Sequence, residues 1–275
     1  MTDQTETIIR ARRFQLLGQL PELWRRRGLA WTLAKRDISV RYKQTLIGVA
    51  WAVVQPVMLM VVFSLVFGRF GQIPSDGVPY PVFSYSGLLP WLLFASSLTA
   101  CSQSIVTNAA LVTKVYVPRL LLPIASTIPP LVEFAIAFVI LIFLMIHFEV
   151  PVTERLFWLP IFLALAWLTA LSVGIWLCVM NVFYRDLRFA LPFLIQLLMF
   201  LTPVIYPSSM IGEPWGSILA LNPMVGVVEG FRWALLGVAE PSWSSMLVSI
   251  AVSAVLLVGG LIFFERQQWR FADVI

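Results

Sequence analysis

Of 275 residues, 60% are hydrophobic and only 12% are charged. An average soluble domain is about 25% charged, so a water-soluble globule is excluded, and so is an intrinsically disordered chain. With a net charge of +5, the chain reads as an all-α, polytopic membrane protein.

In chain order, residues 1–45 are basic and hold no long apolar run, so no cleavable signal is expected. They read as a cytoplasmic amphipathic interface segment. Leu16, Leu17, Leu20, Leu23 and Trp24 form one helical stripe beside Arg25, Arg26 and Arg27. Trp31, Ala34, Ile38 and Tyr42 form a second. Such helices lie in the membrane interface, with tryptophan at the headgroups and cations near anionic lipid. A plain lipid anchor and a docking platform for a partner protein both fit.

A transmembrane domain over 46–264 follows, with six apolar spans at 46–67, 82–105, 120–146, 156–183, 189–205 and 244–264. Each is near the ~20 residues that cross a ~30 Å hydrocarbon layer as a helix. None shows the alternation of a barrel strand. The stretch 218–236 differs, because it holds Asn222-Pro223, Glu229 and Arg232. Asn before Pro predicts a helix N-cap with proline at the first helical position. That splits the stretch into two short helices, read as a re-entrant or interfacial extracytoplasmic hairpin within about 207–243. Gly226 and Gly230 match a small-xxx-small spacing, a match that chance explains in so short a segment. Residues 265–275 form a cytoplasmic tail.

Charge orients this arrangement. With six spans, all of the nineteen Lys and Arg except Arg69, Arg155 and Arg232 fall on one side. The positive-inside rule makes that side, and both termini, cytoplasmic.

Several chemistries are missing. Cys101 and Cys178 lie inside apolar runs and read as small packing residues. His147 is the only histidine, so no multi-histidine zinc or haem site can be built, and no metal site is expected. No Gly-Lys pair exists, so the chain carries no P-loop. Glu133 is the one ionisable group well inside a span, just after Pro129-Pro130. It reads as an interhelical hydrogen-bonding residue or as part of a transport path. The remaining reading is a passive membrane half that needs an external engine. Two cytoplasmic loops suit such a partner: 108–121, holding Lys114-Val-Tyr-Val-Pro-Arg119, and Tyr184-Arg-Asp-Leu-Arg188. Both also suit simple positive-inside anchoring.

Four stretches carry a family resemblance. They are Arg36-Asp-Ile-Ser-Val-Arg-Tyr-Lys-Gln-Thr-Leu-Ile-Gly leading to Trp51 and Gln55-Pro56; Ser86-Gly-Leu-Leu-Pro-Trp91; Asn181-Val-Phe-Tyr-Arg-Asp-Leu187; and Leu221-Asn-Pro-Met224 with Glu229-Gly-Phe-Arg232. Together they resemble the membrane permease of the ATP-binding-cassette polysaccharide exporters, which serve O-antigen, capsule and teichoic acid chains. The resemblance implies six transmembrane helices, a homodimer in the bacterial inner membrane, and two separate ATPase subunits that carry ATP and Mg. It also implies an undecaprenyl-pyrophosphate-linked glycan as cargo and an aromatic-rich channel between the two copies. No cofactor is expected on this chain, and no nucleic-acid partner.

Three residue sets follow from that resemblance. Arg36, Arg41 and Lys43 are placed to meet the pyrophosphate, because arginine forms forked contacts with phosphate oxygens. Trp51, Phe63, Phe67, Phe193, Phe200 and Tyr206 are the channel aromatics. Lys114, Tyr116, Arg119, Arg185 and Asp186 are the ATPase-coupling residues. A drug or lipid exporter of the same superfamily is the alternative within transport. A membrane glycosyl- or acyltransferase is the alternative class, although Asp37, Asp186 and His147 form no obvious catalytic set. A structural scaffold is the third.

Overall fold

The computed structural model describes residues 16–43, 48–115, 117–212, 214–238 and 240–275, and every regular element among them is helical. Two helices precede the first span, α1 (Leu16–Arg25) and α2 (Arg27–Tyr42). The span itself is α3 (Trp51–Phe63), entered by a 3₁₀ turn (Gly48–Ala50) and prolonged by a π-helical stretch (Ser64–Phe70). Then come α4 (Tyr80–Thr107), α5 (Ala109–Lys114), α6 (Leu121–Ser126) and α7 (Ile128–His147). The rest are α8 (Leu159–Phe183), α9 (Leu187–Phe200), α10 (Trp215–Leu219), α11 (Pro223–Leu236), α12 (Trp243–Gln267) and α13 (Phe271–Val274).

Among the described residues, five helical stretches are long and apolar enough to cross a membrane: Gly48–Phe70, Tyr80–Thr107, Leu121–His147, Glu154–Phe183 and Trp243–Arg270. They coincide with five of the six expected spans. The expected span at 189–205 is different. Its helix, α9, has 14 residues, about 21 Å at 1.5 Å per residue, against the ~30 Å of a hydrocarbon layer. Pro203 accounts for the early stop. It brings no N–H and disfavours helical backbone at Thr202, so the chain turns over 201–206.

α4 is the axis of the bundle, packed by α3, α6, α7, α8, α9 and α11. Its serines explain how it serves there. Ser86, Ser102 and Ser104 are buried, and each donates to the carbonyl three residues back (Phe83, Thr99 and Cys101) at 2.7–2.8 Å. Small side chains let neighbouring helices approach closely, and their hydroxyls are satisfied within the helix. Cys101 and Cys178 are fully buried packing residues, as expected, with the Cys178 Sγ 3.4 Å from the Ser104 hydroxyl. The prolines after Thr127 sit in the first turn of α7, where their missing N–H is harmless. The Trp167 indole N–H, from α8, donates to the Thr127 hydroxyl at 2.9 Å across that break.

Residues 16–25 and 27–42 are helical, with the faces of the second helix turned from the expected stripe. Ala30, Leu33 and Ala34 are buried, the first two in a core cluster with residues of α6, α8 and α12, and α2 packs on α6 and α7. Trp31 is 59% exposed although it belongs to the expected stripe. Close approach through Ala30 and Ala34 leaves no room for an indole on that face, so Trp31 points outward. In the first stripe Leu23 packs partly against the same cluster and Trp24 is exposed. The side chains of Leu16, Leu17 and Leu20 lie outside the description.

The 218–236 stretch splits as its sequence demands. The Asn222 carboxamide oxygen accepts from the Met224 N–H at 3.1 Å, Pro223 opens α11, and Gly237 closes it in the left-handed region at φ 66°. α11 wedges among α4, α8 and α12. Gly226 and Gly230 are what permit this. A Cβ on Gly226 would lie 2.5 Å from the Ser249 hydroxyl, and one on Gly230 would lie 2.0 Å from the Phe162 ring. Their spacing is therefore a packing feature and not a coincidence. Asn222→Ala removes the cap and the bond from the Asn222 amide to the Thr202 hydroxyl (2.9 Å). A stability loss of about 1 kcal/mol is expected, read as a lower melting temperature of the purified chain.

Candidate functional site

Two of the four sequence motifs, the first and, through Leu89, the second, meet around one cleft. The last turn of α2 (Arg41, Tyr42), the start of the first span (Gly48, Trp51, Gln55, Pro56), the middle of α4 (Leu89, Leu92, Leu93, Ser96) and α7 (Pro130, Glu133, Phe134, Ala137) line a cavity of about 350 Å³. Its depth is apolar. At its mouth the Arg41 guanidinium pairs with the Glu133 carboxylate, and the Tyr42 hydroxyl donates to the same carboxylate oxygen at 2.7 Å. Burial first, and then the Glu133 hydrogen bond and charge, push the Tyr42 phenol up to about 12, so it stays a donor at neutral pH.

This arrangement answers the question Glu133 poses in the sequence. It is an interhelical hydrogen-bonding residue, and its cation comes from α2 rather than from another span. Local pattern cannot reveal that pairing, because Arg41 and Glu133 are 92 positions apart. Tyr42 is a member of the expected stripe, and its role at the mouth carries no sequence signal. The rest of the basic set separates. Arg36 bonds Asp37 (2.7 and 3.0 Å) and the Asn108 carboxamide oxygen (2.6 Å), which ties α2 to the end of α4. Lys43 ends α2 with an exposed side chain. Arg41 is thus the one member of this set that lines the cleft.

The aromatic set also divides. Trp51, Phe193 and Phe200 are 54%, 61% and 48% exposed on outer faces. Phe63 is buried in the bundle core with Phe67 edge-on at 5.7 Å, so its ring faces neighbours within the chain. Tyr206 donates to the Phe200 carbonyl at 2.8 Å and shapes the turn after α9. The first span and α9 present long apolar faces: Met58, Val61 and Val62 of α3 with Leu65 of its π-helical extension, and Phe189, Leu194 and Leu197 of α9.

Of the residues expected to meet a partner, Lys114 ends α5 with an exposed side chain, and Arg185 and Asp186 are exposed on the turn before α9. Tyr116 lies outside the described residues. Arg119 is different, being half-buried and donating to the Gln268 carbonyl at the end of α12. Burial lowers its pKa, and Asp273 pushes it back up. It is a tie between the loop and the C-terminal segment.

On the opposite face a second polar assembly holds the hairpin. Arg232 of α11 is 4% exposed. Its guanidinium donates to the carbonyls of Pro203 (2.6 Å), Val204 and Tyr206 (3.4 Å) and stacks 3.7 Å above the Phe83 ring. Gly87 makes the space, since a Cβ there would lie 2.5 Å from Arg232 Nη2. The second and fourth sequence motifs therefore fit each other through Gly87 and Arg232. The third joins through Asn181, whose amide donates to the Ser102 carbonyl of α4 at 3.0 Å. Among the described residues no group of three or more His, Cys, Asp or Glu is placed to hold a metal.

Comparison with known proteins agrees with this geometry. The chain is 29% identical over 257 residues to the O-antigen export system permease protein RfbA of Myxococcus xanthus, covering 92% of this chain and 98% of that one. It is 28% identical to the protein of the same name in Klebsiella pneumoniae, covering 88% and 93%. It is 27% identical to the polysialic acid transport protein KpsM of Escherichia coli, covering 85% and 91%. The family profile described as the ABC-2 type transporter matches residues 28–236, which takes in nearly all of α2, the residues that line the cleft, the 108–121 and 184–188 loops and α11. This multi-pass, all-helical chain belongs to the ABC-2 type transporter family.

Proposed function

We propose that this chain is the permease subunit of an ATP-driven exporter that moves a lipid-linked polysaccharide, O-antigen first, across the bacterial inner membrane. The similarity to two O-antigen export permeases over nearly the whole length of each chain carries this reading. The resemblance to a polysialic acid transport protein makes a capsule chain the second cargo. On this reading α9 and the turn after it serve as the sixth crossing, both termini are cytoplasmic, and two copies of the chain face each other. The outward apolar faces of α3 and α9 support the pairing, with Trp51, Phe193 and Phe200 as the rings offered to the glycan. Sugar C–H faces stack weakly on such rings, so a long chain can slide. ATP and Mg reside on two separate ATPase subunits.

The exposed Lys114 and the 185–186 turn receive those subunits. Lys114→Glu combined with Arg185→Glu should lower ATPase co-purification about tenfold, which corresponds to about 1.4 kcal/mol of association energy. The decisive test reconstitutes the chain with and without a cassette ATPase. Translocation of lipid-linked oligosaccharide, driven by ATP turnover, is expected only when the chain and the partner are both present. Turnover or translocation by the chain unaided would overturn the reading, and so would a charge-reversed pair that still assembles and couples normally.

A further inference from the structure

A second cavity, of about 280 Å³, opens beside the Arg232 assembly. On the proposed export topology it faces the extracytoplasmic side. The loop before α4, the turn after α9, the second half of α11 and the start of α12 build its wall. Its chemistry is mixed. Asp76, Glu229 and Glu240 bring carboxylates from three separate segments, four serines bring hydroxyls, and Pro207, Val238 and Pro241 bring apolar surface. Among the described residues the carboxylates do not converge as a metal-ligand group. They stand around a space and not on a point. Arg232, 4% exposed, also lines the cavity and is the one cation in its wall among the described residues. Its terminal nitrogens are spent on carbonyls, but its Nε–H is buried and has no hydrogen-bond partner among the described residues. A buried donor left without an acceptor is costly, so the wall favours a ligand that brings an oxygen.

These features select a ligand class. Hydroxyl groups donate to carboxylates and exchange hydrogen bonds with serines. Apolar C–H faces lie against the prolines and Val238. A sugar ring offers both. A bare cation satisfies the carboxylates but makes no use of the apolar wall or of the unpaired donor. An acidic sugar meets like charge, with the Arg232 fork already engaged. Burial raises the Glu229 pKa, against the Ser208 hydroxyl and Arg232, so the exposed Asp76 and Glu240 carry the charge at the rim. We propose that this cavity is an extracytoplasmic glycan subsite. It holds one uncharged sugar residue, with hydroxyls on Asp76, Glu229 and Glu240 and an oxygen on the Arg232 Nε–H, and it excludes acidic sugars by charge. The subsite rests on the export reading and narrows its cargo, favouring a neutral chain over a polyacid of the polysialic kind.

The test needs neither an ATPase nor transport. The full chain in phosphatidylcholine nanodiscs is titrated with soluble trisaccharides, and binding is read by saturation-transfer NMR. The neutral probes are maltotriose, mannotriose and galactotriose, and the acidic probe is a trimer of sialic acid. At least one neutral trisaccharide should bind, about fivefold or more tightly than the sialic trimer. Asp76→Asn with Glu240→Gln, both on exposed side chains, should cut that ratio below about twofold by raising sialic trimer binding. Ser209→Trp, on the exposed turn, fills the cavity and should abolish binding; Glu240→Trp serves the same arm if that variant misfolds. Failure of all three neutral probes to bind overturns the subsite. Wild-type binding of the sialic trimer as tight as that of the neutral sugars overturns the charge selection, and so does a ratio that the double variant leaves unmoved. Binding that survives both fillers lies elsewhere and overturns the assignment. Displacement of the bound sugar by spermidine gives the cavity to a cation and overturns the sugar. Sugar binding can fail while ATP-driven translocation succeeds, or the reverse, so the subsite and the export reading fall separately.

Discussion

Gly230→Ala should destabilise the chain severely, and shrinking Phe162 should restore part of the loss. The added methyl would sit 2.0 Å from the Phe162 ring, well inside contact distance, and that ring is 1% exposed in the core between α8 and α11. Overpacking of this kind costs about 1–3 kcal/mol or more when neighbours cannot move. Here neither can move easily, because α11 is wedged on three sides. Phe162→Leu alone should destabilise through lost contacts. In the Gly230→Ala background it should instead raise the melting temperature. A double-mutant cycle on the purified chain measures the coupling, which should exceed about 1 kcal/mol. Additive losses would mean that α11 shifts to accept the methyl.

Arg232→Met should release the turn after α9. The substitution keeps volume but leaves the carbonyls of Pro203, Val204 and Tyr206 without that donor and removes the cation from above Phe83. An unsatisfied buried acceptor costs about 1–3 kcal/mol, so the total loss should reach several kcal/mol. Limited proteolysis near Ser208–Met210 should then be faster than in the wild type. Arg232→Lys should rescue little, since one ammonium cannot match a planar fork that spans several carbonyls. Gly87→Ala should give the same cleavage from the other side, by pushing the guanidinium out of its seat. Burial lowers the Arg232 pKa, and Asp76, Tyr80 and Glu229 push it back up, so the guanidinium remains charged in neutral solution.

The contrast between what the sequence discloses and what it hides has a physical basis. Apolar run length depends on local composition alone, and five spans are legible from it. The Asn222-Pro223 cap is equally local, and α11 begins where that dipeptide says it should. α9 misleads because its apolar run continues past Pro203 while its helix cannot. The tertiary pairings are silent. Nothing near Glu133 announces Arg41, and nothing near Gly87 announces Arg232, since each pair joins separate helices. The Gly226 and Gly230 spacing looks accidental until Ser249 and Phe162 stand opposite it. Phe63 reads like any other aromatic of its span, and only the bundle shows that its ring is spent on the core.

Arg119 has a mechanical corollary. By fastening the 108–121 loop to the Gln268 carbonyl, it hitches that loop to the foot of α12. The other end of α12 bears on α11 through Ser245 and Ser249 against Gly226. α12 is therefore a rod of 25 residues, tied to the 108–121 loop at one end and abutting the helix of the Arg232 assembly toward the other. On the proposed export topology a push on that loop reaches α11 along one helix, and Arg119→Ala should cut the tie while leaving both ends folded.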